Sequence, residues 1–217
     1  MQRIFFGQDN KLRSGWRAAA FLFSFFLVAR VLIVISINLI ALLPLSESAS
    51  GQLPVIIPFA VSTVVALVFG WLCAKFFENL AYQSLGASFA NGWFAHLASG
   101  LAVGAVTFLL AIIIVVASGS ISFSFNAASA AQAIATTLLT TFVIFTVAAA
   151  SEEALFRGYL LQTFTRSDLK WFGIAMTSVL FAFAHNQNPG ANPLALANTL
   201  LAGVWFAVAY FKTRDLW

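Results

Sequence analysis

The chain has 217 residues, of which 61% are hydrophobic and only 8% charged, with a mean hydropathy of +0.95. Eleven Lys and Arg with seven Asp and Glu cannot cover a soluble domain, which carries about a quarter charged residues, and disorder is excluded by the same composition. A net charge of +4 is too small for a nucleic-acid footprint, and one Cys rules out a disulfide framework or a cysteine-based zinc cluster. An integral membrane protein remains, with room for about six helices at roughly 20 apolar residues each.

Six apolar blocks follow one another in the sequence: 18–43, 55–74, 94–117, 133–165, 171–186 and 194–211. None alternates apolar and polar residues as a barrel strand would, so helices are the spanning solution and the fold class is all-α, a polytopic transmembrane bundle. Pro44 and Pro54 flank the first loop, the Ser/Ala-rich stretch 117–131 reads as a polar connector, and Pro189-Gly190-Ala191-Asn192-Pro193 separates the last two blocks. No internal repeat is visible. We read residues 1–17 as a cytoplasmic segment and 18–217 as a single transmembrane domain.

Lys and Arg set the orientation. Arg3, Lys11, Arg13 and Arg17 precede the first block, and alternate connections hold Lys75, then Arg166 and Lys170, then Lys212 and Arg214. The intervening loops 45–53, 118–131 and 187–193 hold neither residue type. The amino terminus is therefore expected in the cytoplasm, with the first block retained as a span because it is too long for a signal peptide.

Ionisable residues inside apolar blocks are costly unless paired or functional. They are Arg30, Glu152, Glu153, Arg157 and His185. Glu153 and Arg157 stand four apart with the acid first, the favourable order for a helical ion pair. Glu152 points about 100° away and has no cation on its own face, which leaves it available as a general base. The turn Arg166-Ser167-Asp168-Leu169-Lys170 lies midway between Glu152 and His185. An antiparallel helical hairpin with equal rise on both arms therefore puts the two at one depth. Phe181, four before His185, shares its face and can hold the imidazole. A plainer alternative stays open: the charges end the fourth span near the cytoplasmic surface, and His185 caps the fifth.

Glu152-Glu153-x-x-x-Arg157 followed by Phe181-x-x-x-His185 resembles the first two motifs of the CPBP family. These are the type II CAAX prenyl endopeptidases and the bacteriocin-processing or immunity proteins, polytopic intramembrane proteases. The similarity extends over residues 130–217, through the stretch from Asn198 to Trp217. The resemblance implies that Glu152 activates the attacking water and His185 positions or polarises it, while Glu153 and Arg157 complete the first motif. It implies as substrate a membrane-associated or lipidated peptide, and as location the prokaryotic plasma membrane. The family's third motif, His-x-x-x-Asn on a later helix, has no counterpart here. The sequence ends at Trp217 where that helix would begin, and His96 is followed four places on by Gly100. The expectation is thus a C-terminally incomplete chain, weakly active or inactive by itself, whose complete version is a protease.

Zinc is the one cofactor left open, with Glu152 and His185 as its ligands. The chain has no His-Glu-x-x-His and two histidines in all, too few for a three-histidine site, so the chemistry reads as metal-independent. Other classes compete with the protease reading. One is a non-catalytic membrane module such as a bacteriocin self-immunity protein, and another is a proton-relaying transporter. Among the remaining polar residues, Arg30 fits either a substrate carboxylate, Glu152 or a polar seam of the bundle. Asn38 and Asn198 fit interhelical hydrogen bonds, and His96 an interfacial position. Gly100 and Gly104 permit close helix approach, and Asn186, Gln187 and Asn188 could line a site mouth.

Overall fold

The computed structural model describes residues 2–7, 11–89, 92–124 and 131–217. Part of the expected cytoplasmic segment (residues 1 and 8–10) and the middle of the Ser/Ala-rich connector (125–130) lie outside the described residues. Among the described residues the fold is all-α. In chain order the helices are α1 (Gln2–Phe5), α2 (Ser14–Ala41), α3 (Glu47–Glu78), α4 (Trp93–Ala117), α5 (Ala131–Glu153), α6 (Leu161–Thr165), α7 (Lys170–Ala184) and α8 (Pro193–Thr213). A 3₁₀ turn, Tyr82–Leu85, follows α3, and a π-helical segment, Ala154–Leu160, joins α5 to α6.

Among the described residues, five helical stretches are long and apolar enough to cross a membrane: Ser14–Ala41, Ala49–Glu78, Trp93–Ala117, Ala131–Thr165 and Pro193–Thr213. The protein is a multi-pass integral membrane protein. The fifth apolar block is the exception. With 15 residues, α7 is about 22 Å long, short of the roughly 30 Å hydrocarbon layer.

Two compact units make up the chain, one of Met1–Ser88 with Ile144–Leu216, the other of Phe89–Val143 with Trp217. In the first, α2 and α3 pack through Phe25, Ala29, Val65 and Ala66, with Ala154 of the π-helical segment in the same cluster. Three of these five are alanines, small enough for helix backbones to approach where lipid offers no hydrophobic drive to association. In the second unit α4 has no buried residue, and the Phe89 ring stacks on Trp217 at 5.2 Å and meets Trp93 edge-on at 4.9 Å.

The second block runs further than its proline punctuation suggests. Helix α3 starts at Glu47, so most of the expected loop 45–53 is helical, and Pro54 lies inside the helix together with Pro58. Ser46 provides the start: its hydroxyl accepts from the Ala49 N–H, and Glu47 supplies an acid in the first turn. Capping and the long apolar run outweigh the two N–H groups that the prolines remove, a substitution membrane helices tolerate. The helix ends at Asn79, whose left-handed φ of 57° closes the last turn.

Within the first unit one close helix approach depends on a glycine. It occurs at Gly203, where a Cβ would stand 2.9 Å from Ser178 Cα and bring α8 into collision with α7. Only glycine fits this crossing.

Candidate active site

The site is built on a hairpin. Helix α5, its π-helical continuation and α6 form one arm, α7 the other, and the turn between them closes through Asp168 in the left-handed region at φ 59°. Between Ala154 and Leu160 the backbone widens from α to π, a feature that the plain helical reading of 133–165 misses. In this widened turn the Gln162 side-chain amide donates to the Arg157 carbonyl at 3.1 Å, and also to Leu85 O at 2.8 Å.

Glu152, on the last turn of α5, places Oε1 3.5 Å from His185 Nε2. His185 is the C-cap residue of α7, so both readings of it, helix cap and site residue, describe one position. Its Nδ1 lies 2.8 Å from Phe181 O. A carbonyl oxygen only accepts, so Nδ1 carries a proton and donates it, which leaves Nε2 turned toward Glu152. The Phe181 ring stands 4.5 Å from the imidazole, centroid to centroid. The ring is thus oriented by one residue through both its backbone and its side chain.

Glu153 takes a different partner. Its Oε1 is 3.2 Å from Arg157 Nη1, and Arg157 Nη2 donates to Gly203 O at 3.2 Å. The guanidinium, 1% exposed, lies 4.7 Å from the Phe181 ring and 5.1 Å from Phe206. Arg157 therefore ties the first motif to α7 and α8 at once. The sequence offers the Glu153 pairing by spacing. It offers no signal for the Gly203 carbonyl, which comes within reach only through the helix crossing at that glycine.

A cavity of about 760 Å³ opens beside Glu152 and His185. Its polar edge includes Ser62, Ser151, Asn186 and Asn188, and its apolar wall includes Phe25, Phe26, Phe59 and Phe183. Asn186 and Asn188 thus do line the mouth, whereas Gln187 does not. Arg30 and Asn198 are exposed and do not line the cavity. His96 belongs to α4.

Residues 133–217 match the family described as type II CAAX prenyl endopeptidase Rce1-like. The boundaries of the match enclose the whole hairpin, with Glu152, Glu153, Arg157, Phe181 and His185 all inside. That description names a prenyl endopeptidase family, and the match covers less than half of the chain. The chain is also 38% identical over 81 residues to an Escherichia coli protein described as an uncharacterized 24.3 kDa protein. It spans 36% of the length of that curated relative, and the matched residues make up 36% of this chain. No solved structure matches the chain.

Few side chains at the site could ligate a metal. At the hairpin only Glu152 and His185 offer free donor atoms toward one point, because Glu153 is held by the Arg157 guanidinium. Among the described residues no three His, Cys, Asp or Glu side chains gather as a metal site would need. Catalytic zinc takes three protein ligands and a water, so the residues present do not fit it.

Proposed function

We propose that the protein is an intramembrane endopeptidase of the CAAX-protease type in a prokaryotic plasma membrane, hydrolysing a peptide bond in a membrane-associated or lipidated peptide. The observation that carries this reading is the approach of Glu152 Oε1 and His185 Nε2 to 3.5 Å at the wall of a cavity with an aromatic lining. A water hydrogen-bonded to both, at about 2.8 Å from each, would lie off the line joining them, on the cavity side.

Glu152 takes a proton from this water as its oxygen bonds to the scissile carbonyl carbon. When the C–N bond breaks, the same carboxyl returns the proton to the leaving amine, so protons balance without a second acid. His185 holds the water through Nε2 and, with Nδ1 fixed by Phe181, presents that nitrogen in one orientation. The oxyanion needs a donor; in place of the third motif that the sequence lacks, Asn186 and Asn188 are the amides that line the same cavity, and with them we propose that the chain cleaves by itself. Two donor atoms suffice for this chemistry, and we assign no step to a metal.

The test is cleavage of a fluorogenic lipidated peptide by the full chain reconstituted in liposomes, compared with Glu152→Gln. The reading requires that the variant fold, insert and fail to cleave. A variant that cleaves at the parent rate sinks it. Protection of cells from a bacteriocin that persists in Glu152→Gln would point instead to the non-catalytic module.

A further inference from the structure

A second cavity, of about 1240 Å³, lies in the same unit at the end where α2 begins and the α6–α7 turn closes. Four cations line it, Lys11, Arg13, Arg17 and Arg166, against two carboxylates, Glu78 and Asp168. Glu78 is already engaged. Its Oε1 meets Arg17 Nη1 at 2.6 Å and Arg166 Nε at 2.8 Å, and its Oε2 accepts from Arg166 Nη2 at 2.9 Å. One buried carboxylate therefore faces two guanidiniums, and a positive charge is left over beside the cavity.

The start of α2 adds to this excess. Ser14, Gly15 and Trp16 line the cavity with the first turn of a 28-residue helix that has no acid in that turn and no side-chain cap from Arg13. Its N–H groups and the positive end of its dipole favour an anion. On the other side the lining turns apolar and aromatic: Ile4, Trp16 and Phe172 are 59%, 44% and 53% exposed. Cations beside exposed aromatic and aliphatic side chains mark the headgroup level of a bilayer, on the side that the Lys and Arg distribution assigns to the cytoplasm.

We propose that this cavity binds a phosphate group at headgroup level, supplied by an anionic phospholipid whose acyl chains run along Ile4, Trp16 and Phe172. An acidic peptide would satisfy the cations but not the exposed apolar side of the lining. The site is separate from Glu152 and His185 and does not depend on any catalytic reading of them.

The experiment follows thermal unfolding of the purified full chain in a non-ionic detergent while phosphatidylglycerol, phosphatidylcholine or inorganic phosphate is titrated. Phosphatidylglycerol should raise the midpoint, and phosphatidylcholine should not. Arg13→Gln and Lys11→Gln, both at exposed positions, should each weaken the apparent affinity about fivefold, the effect of removing one basic residue near an anionic surface. Arg17→Gln belongs in the series only as an upper bound, since it also breaks the Glu78 pair. Lys212→Gln, basic but outside the cavity, should leave the affinity unchanged. A shift from inorganic phosphate that Arg13→Gln abolishes supports the phosphate site and assigns its source to the free ion. An equal shift from phosphatidylcholine, or an equal loss in Lys212→Gln and Arg13→Gln, overturns the proposal.

Discussion

Glu152 Oε1 faces His185 Nε2 at 3.5 Å from opposite arms of a helical hairpin, and the imidazole's other nitrogen is held by Phe181 O. His185→Ala removes Nε2 together with the Nδ1–Phe181 O bond, so the rate reports the first and the unfolding midpoint the second. His185→Ala in the proteoliposome assay should lower the cleavage rate by about 10²–10⁴, the usual range for a positioned acid–base group, with little change in the unfolding midpoint. A fall in stability without a fall in rate would reassign His185 to helix capping.

Arg157 makes a stability prediction. Its guanidinium is 1% exposed, pairs with Glu153 and donates to Gly203 O. Arg157→Met leaves Glu153 without its cation and the carbonyl without its donor, and should cost about 3–5 kcal/mol in reversible unfolding in mixed micelles. Adding Glu153→Gln should recover part of that loss, because the stranded charge is then gone. Arg157→Lys should rescue poorly, since one ammonium cannot span both partners as the planar fork does.

How much of this is legible in the sequence depends on the distance over which each feature is decided. The convergence of Glu152 and His185 follows from one short turn between two arms of similar residue count, a local property, and it survives the unequal rise that the π-helical segment introduces. The Glu153–Arg157 pair follows from a spacing of four. The Arg157–Gly203 bond joins residues 46 apart, and it needs both the π-helical widening at Ala154–Leu160 and the glycine contact with Ser178. No periodicity encodes either. Arg17 and Arg166 read in the sequence as separate charges flanking different spans, and nothing there joins either to Glu78. Their union depends on how α2, α3 and α6 meet, 88 residues apart in the case of Glu78 and Arg166. The helical start of α3 is hidden for the opposite reason. Pro54 is a strong local breaker, and the Ser46 cap and the apolar run behind it override that signal.

Gly203→Ala tests the helix crossing. The new Cβ would stand 2.9 Å from Ser178 Cα, a backbone atom that cannot rotate away. We expect a loss of about 1–3 kcal/mol from overpacking, together with reduced cleavage as the Gly203 carbonyl moves off Arg157. Ser178→Gly should not rescue it, because the obstructing Cα remains. Full rescue would mean that the side chain, and not the backbone, sets the spacing.

The donor count at the hairpin makes a chelation prediction. With Glu152 and His185 as the two available donors, dialysis against EDTA or 1,10-phenanthroline should leave the cleavage rate unchanged. Activity lost on chelation and restored by zinc alone would show that a further ligand comes from outside the residues gathered here.

Glu78 is the anchor of the cationic end. It is 8% exposed and bridges α2 to α6 through Arg17 and Arg166, while Arg17 Nη2 also donates to Ser167 Oγ at 2.8 Å and Arg166 Nη1 to Gln162 Oε1 at 3.1 Å. Glu78→Gln keeps the shape and one acceptor but strands two guanidiniums, of which Arg17 is the more deeply buried. The expected cost is about 3–5 kcal/mol, larger than for Arg17→Gln, which leaves the carboxylate still paired with Arg166. Reversible unfolding of the two variants decides the order. Because Gln162 also donates to the Arg157 carbonyl, loosening Arg166 at one end of α6 reaches the π-helical segment at the other. Glu78→Gln should therefore lower the cleavage rate as well, although Glu78 lines the cationic cavity and not the one beside Glu152. An unchanged rate in a variant that has lost several kcal/mol would show that the two ends of the hairpin are uncoupled.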